Sequence, residues 1–153
     1  MNPTHAHLFM NHLPFLGSAF TFIFLMYSFH KKNNEFIKLF LWVFVFFAVL
    51  TIPVFLTGDP AGDVVKNIPG IKEELVDNHE TAGYISLILI EVTGALALLG
   101  IYLMGKNAQL AKWFKYTFVA LSFASILSFG WTANLGGQIR HSELKTSNQI
   151  ELK

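Results

Sequence analysis

Six histidines are the residues of this chain best suited to chemistry, and five of them gather at one level of its apolar stretches. His5, His7 and His12 stand at the opening of the first stretch, His79 opens the third, and His141 follows the fourth. His30 alone lies at the opposite boundary. Imidazole binds haem iron and metal ions and moves protons near neutral pH. Folding that brings these stretches side by side therefore assembles a histidine cluster from three separate segments. There is no cysteine, which excludes disulfides, thiolate metal sites, iron–sulfur clusters and covalent c-type haem attachment. Any metal must use histidine, carboxylate or thioether ligands.

The elements that position these side chains are apolar helices. Of 153 residues, 53% are hydrophobic and only 14% charged, 16 are phenylalanine, and mean hydropathy is +0.48. Soluble proteins carry roughly 25% charged residues, so lipid must be part of the solvent. Apolar runs of about 20 residues predict four transmembrane helices, at about His7 to Phe29, Phe36 to Phe55, Glu80 to Met104 and Phe114 to Gly136. The links His30 to Glu35 and Gly105 to Trp113 are short and make antiparallel neighbours. Leu56 to His79 is a longer link rich in Gly, Pro and Asp, and the tail from Gln138 to Lys153 is polar and expected to fray. The expected architecture is one all-α domain over residues 1–153, an integral membrane four-helix up-down bundle. Met1 to His12 carries no lysine or arginine, so it lacks the basic region of a cleavable signal peptide. The first stretch is expected to stay as a membrane helix.

Loop charge sets the expected orientation. The short links and their flanks carry Lys31, Lys32, Lys38, Lys106, Lys112 and Lys115 against Glu35. The long link carries Asp59, Asp63, Glu73, Glu74, Asp77 and Glu80 against Lys66 and Lys72. Short links inside, with both termini and the histidine cluster on the periplasmic side of a bacterial inner membrane, is the arrangement this predicts. Arg140 and Lys145 on the tail run against the contrast. No basic run or aromatic–basic interleaving points to nucleic acid.

Pro14 removes a backbone N–H and leaves the Met10 carbonyl without its usual partner. The helix either kinks there or begins near Pro14 with His12 at its cap. On a continuous helix His7 and His12 point about 140° apart, so they do not chelate one ion as an i, i+4 pair does. His5 shares a face with His12 and is read as solvated. His79, at the outer end of the third helix, faces an outer-end histidine of the first. His12 and His79 are thus the preferred axial pair for a six-coordinate haem b, with His7 and His141 as substitutes or as ligands of a second site. Arg140, beside His141, suits a haem propionate or a phosphate headgroup, or simply completes a helix C-terminus.

A non-haem copper or zinc site built from His12, His79, His7 and Asp59 or Asp63 is the alternative. A third reading has no cofactor: an accessory subunit of a membrane complex whose polar end docks a periplasmic partner. Gly58 reads as a helix C-cap, with Asp59 and Asp63 as solvated turn residues. Glu91 is the one ionisable residue deep in an apolar run. Glu80, Tyr84 and Glu91 recur on one face and would form a proton path; otherwise Glu80 is a helix cap and Glu91 hydrogen-bonds to Ser122 or Ser125. Ala120, Ala124, Ser128, Thr132 and Gly136 form a small-residue packing ridge. No nucleophile–base pair, phosphate loop or redox-cofactor fingerprint can be read, so an electron carrier or accessory subunit is expected rather than an enzyme.

The run His7-Leu8-Phe9-Met10-Asn11-His12-Leu13-Pro14, the Thr57-Gly58-Asp59 turn, His79 and the closing Leu135-Gly136-Gly137 occur in that order. Together they resemble a widespread bacterial family of four-helix membrane proteins, a domain of unknown function. Its members typically begin with His-Pro, three residues, then His-Phe-Pro, and end in a Gly-Gly segment. Leu8 stands where that family has proline and Leu13 where it has phenylalanine. The resemblance spans nearly the whole chain and implies functional histidines at His7, His12 and His79, with a looser match at His141. Some relatives look fused to cytochrome c-like domains, which implies a respiratory setting and a redox partner.

Overall fold

Prolines, caps and two short polar links divide the chain into helices. The computed structural model describes residues 3–106 and 109–151, with side chains over 7–106 and 109–142. Among these residues every regular element is helical: α1 (Pro3–Met10), α2 (His12–Lys31), α3 (Asn34–Leu56), α4 (Gly58–Lys66), α5 (Glu73–Gly105) and α6 (Lys112–Glu151). Among the described residues, four stretches are long and apolar enough to cross a membrane: His7–Lys31, Asn34–Lys66, Glu73–Gly105 and Lys112–Ser142.

α1 and α2 meet at a joint. The Asn11 N–H still reaches the His7 carbonyl at 2.9 Å, and the Asn11 side chain makes no cap. Pro14 lacks the N–H that would engage Met10, and regular helix is interrupted at Asn11 and resumes at His12. α2 ends where Lys32 turns left-handed, at φ 52°, and the Asn33 N–H bonds the Ser28 carbonyl at 3.1 Å, a closure that satisfies an otherwise orphaned carbonyl. The Asn33 side chain then accepts from the Phe36 N–H at 3.1 Å and starts α3.

Three boundaries differ from the sequence expectation. The link after α3 contains α4, because Asp59 and Pro60 suit the first turn of a helix as well as they suit a turn. α5 begins at Glu73, ahead of His79, with Glu73 and Glu74 in its first turn. α6 continues through Gly136 and Gly137 to Glu151, so the polar tail carries helix on past the apolar run. An apolar run marks where a helix suits lipid, not where its hydrogen bonds stop.

The long helices pack in the ring α2–α3–α5–α6, and α1 and α4 close one end against α2, α3 and α5. The opposite end is filled with aromatic rings. Phe44 meets Phe118 edge-on at 5.2 Å, Phe118 stacks on Phe114 at 6.0 Å, and all three are fully buried. Glycine sets the spacing between helices: a Cβ on Gly94 would stand 2.6 Å from the Ala48 methyl, and one on Gly100 2.6 Å from the Phe114 ring. α5 and α6 are joined by hydroxyls, with Ser86 Oγ 2.7 Å from Ser128 Oγ and 2.9 Å from Thr132 Oγ1, and Thr93 Oγ1 3.2 Å from Ser125 Oγ. The small-residue ridge of α6 thus packs and hydrogen-bonds at once.

Candidate functional site

At the end closed by α1 and α4 the packing is thinner, and a cavity of about 360 Å³ remains. Its walls are mainly apolar, with Leu8, Val54, Phe55, Val76 and Phe129 among them, and its polar groups include His7, His12, His79, Asn11, Glu80 and Arg140.

Two of the histidines are held by the same device. His7 Nδ1 lies 3.1 Å from the Val54 carbonyl oxygen, and His79 Nδ1 lies 3.0 Å from that of Thr132. A carbonyl only accepts, so each Nδ1 carries the proton and donates it. In the neutral ring the Nε2 lone pair is then left for a ligand. The residue one helical turn after Val54 is Gly58, and one turn after Thr132 it is Gly136. The missing side chains leave each carbonyl open to an imidazole: a Cβ on Gly58 would sit 3.4 Å from His7 Cε1, and one on Gly136 3.2 Å from His79 Cε1. Val54 lies in the last turn of α3, where carbonyls run short of helical N–H partners. It also accepts from Thr57 Oγ1 at 2.8 Å.

The two rings are neighbours, with centroids 6.3 Å apart and planes at 89°. An ion bound at about 2.0–2.1 Å from each Nε2 puts ring centroids about 5–6.5 Å apart, depending on the N–metal–N angle. Asn11 Oδ1, also at this cavity, is buried without a hydrogen-bond partner. It is an acceptor that a bound molecule can satisfy.

His79 therefore has His7 as its ring neighbour rather than His12. His12 lines the cavity and is exposed, as are Arg140 and Asp59. His141 is exposed and is not part of the cavity lining. The side chain of His5 lies outside the described residues. Glu80 is drawn into an ion pair with Lys66 at 3.3 Å, and Lys66 also meets Asp77 at 2.8 Å. Gly62 leaves the space in which the Glu80 carboxylate lies. Tyr84 is exposed and rests against Phe55 with ring centroids 6.1 Å apart. Among the described residues no hydrogen bond connects Glu80, Tyr84 and Glu91 into a relay. Among them, too, no group of three or more His, Asp or Glu side chains is placed to hold a metal ion.

Sequence reading overlooked Asn11, Ser86 and the Val54 and Thr132 carbonyls. The available signal was a glycine one turn beyond each carbonyl at the level of the histidines. No protein-family model, curated protein or solved structure matches the chain.

Proposed function

We propose that the chain is a multi-pass membrane protein that binds haem b through His7 and His79 and serves electron transfer. The observation that carries this reading is the pair of neighbouring imidazoles, each fixed by an Nδ1–H bond to a backbone carbonyl with Nε2 left for a ligand. Ligand histidines are generally oriented in this way, because the second hydrogen bond sets the tautomer and raises the basicity of the coordinating nitrogen. A haem would need only two ligands from the protein, which His7 and His79 would supply. Tetrahedral zinc needs three or four protein ligands, and the described residues offer no such group. That difference favours haem over zinc.

Haem iron supplies one-electron transfer. The chain's own residues supply the rest. His7 and His79 hold position through Val54 and Thr132, the apolar walls limit water, and Arg140 stands at the cavity to pair with a propionate. His12 faces the same cavity and is kept for access or for a partner rather than for the iron. We place both termini and this cavity at the periplasmic side of a bacterial inner membrane on the loop charges. A periplasmic or respiratory-chain redox partner would meet it there.

A copper(I) ion held by the same two imidazoles is the second reading, since a two-coordinate ion needs no third ligand and the 6.3 Å ring separation suits it as well. The test is titration of detergent-purified apoprotein with haemin and, separately, with copper(I). Saturable uptake of one haem per chain with a low-spin spectrum is expected. Stoichiometric copper(I) binding without a low-spin haem spectrum would replace the haem reading with the copper one.

A further inference from the structure

At the end of the bundle away from the histidines, a groove runs between α2 and α3. It is lined by Ile23, Phe24, Tyr27, Ser28, Phe36 and Phe40. Phe24 and Phe40 stack across the two helices, with ring centroids 5.6 Å apart and planes at 12°, and Phe40 meets Phe36 at 6.4 Å. Apart from Tyr27 and Ser28 these side chains are hydrocarbon. Ser28 is buried, and its Oγ already donates to the Phe24 carbonyl at 2.7 Å. A polar molecule would lose its hydration here without replacement, so the body of the occupant is apolar.

One end of the groove is cationic. Lys31 Nζ stands 5.7 Å from the centroid of the Tyr27 ring, which brings the ammonium to the rim. Lys32 follows and is exposed, and Glu35 is the one carboxylate in the link and the first turn of α3. Ile23 is eight residues before Lys31, about 12 Å along the helix. One leaflet of a hydrocarbon core of about 30 Å is about 15 Å deep. The groove therefore reaches from a charged boundary most of the way to the bilayer centre.

We propose that this groove binds an anionic phospholipid, with one acyl chain along Phe24 and Phe40 and the phosphate at Lys31 and Lys32. The occupant follows from charge complementarity at one end and hydrocarbon over the rest. Lysines beside a membrane helix favour anionic headgroups, and here they stand where the groove opens. The aromatic stack gives the chain a fixed wall rather than a smooth helix face. The proposal needs the chain to be in a membrane, whichever leaflet the α2–α3 link meets, and does not depend on what the histidines bind.

The test is native mass spectrometry of the full chain, purified in detergent, delipidated and titrated with phosphatidylglycerol or phosphatidylcholine. Phosphatidylglycerol should bind at least tenfold more tightly. The double variant Lys31→Gln, Lys32→Gln should lose that preference. Lys106→Gln should keep it, because Lys106 stands 5.8 Å over the Tyr102 ring in a similar way but outside the groove. Ile23→Trp, which fills the exposed end of the groove in the hydrocarbon, should weaken phosphatidylglycerol binding about tenfold. Equal affinity for the two lipids, an equal loss in Lys106→Gln, or undiminished binding in Ile23→Trp would each overturn the proposal. A lipid-free dimer that Ile23→Trp dissociates would put a second copy in the groove instead. If the double lysine variant cannot be purified, Ile23→Trp and Lys106→Gln still decide it.

Discussion

A helix carbonyl accepts from an incoming imidazole only where the next turn leaves it uncovered, and Gly58 and Gly136 leave Val54 and Thr132 so. The two glycines differ in tolerance. A Cβ on Gly136 would press on His79 at 3.2 Å, whereas one on Gly58 would stand at an ordinary 3.4 Å from His7. We expect Gly136→Ala to weaken haem binding about tenfold, the scale of disturbed ligand orientation, and Gly58→Ala to change it little; haemin titration of both variants checks this. His79 and His7 were each legible as candidates from position alone. Their pairing was not, because the joint at Asn11 and the carbonyl contacts are decided by packing between helices. Counting 100° per residue on a straight helix could not say which of His7 and His12 turns to His79, because regular helix is interrupted at Asn11 between them.

At the scale of elements, the ion pairs of Lys66 with Asp77 and Glu80 fasten α4 to α5 beside the cavity. Lys66→Met is expected to speed amide hydrogen exchange in α4 while leaving the middle of α5 unchanged. An unaltered α4 profile would mean that apolar contacts alone hold it. The α5–α6 clasp through Ser86 has a different expectation. Its loss in Ser86→Ala removes contacts to Ser128 and Thr132 and should cost about 0.5–1 kcal/mol, the usual worth of a hydrogen bond between membrane helices, read from unfolding in mixed micelles. The four long apolar helices were legible from hydropathy, which responds to their lipid-compatible middles. α4 and the extensions of α5 and α6 were not, since their residues are polar and their helical state depends on neighbours that hydropathy does not register.

For the whole molecule, the ring α2–α3–α5–α6 carries a dense aromatic end and a thin, glycine-bordered end where the cavity lies. On the topology we propose from the loop charges, the thin end faces outward. A single cysteine at Asp63 should react with an impermeant maleimide added outside intact cells, and one at Lys32 should react only after lysis; the reverse pattern would invert the topology. The central claim is that His7 and His79 together hold a haem. The most direct test is the reduced-minus-oxidised optical spectrum of the chain purified from haem-replete cells, compared with its His7→Ala, His79→Ala and His12→Ala variants. A b-type α band that persists in His12→Ala and is lost in both of the others is the predicted result. No such band in the unaltered chain, or a band undiminished in His7→Ala and His79→Ala, would contradict it.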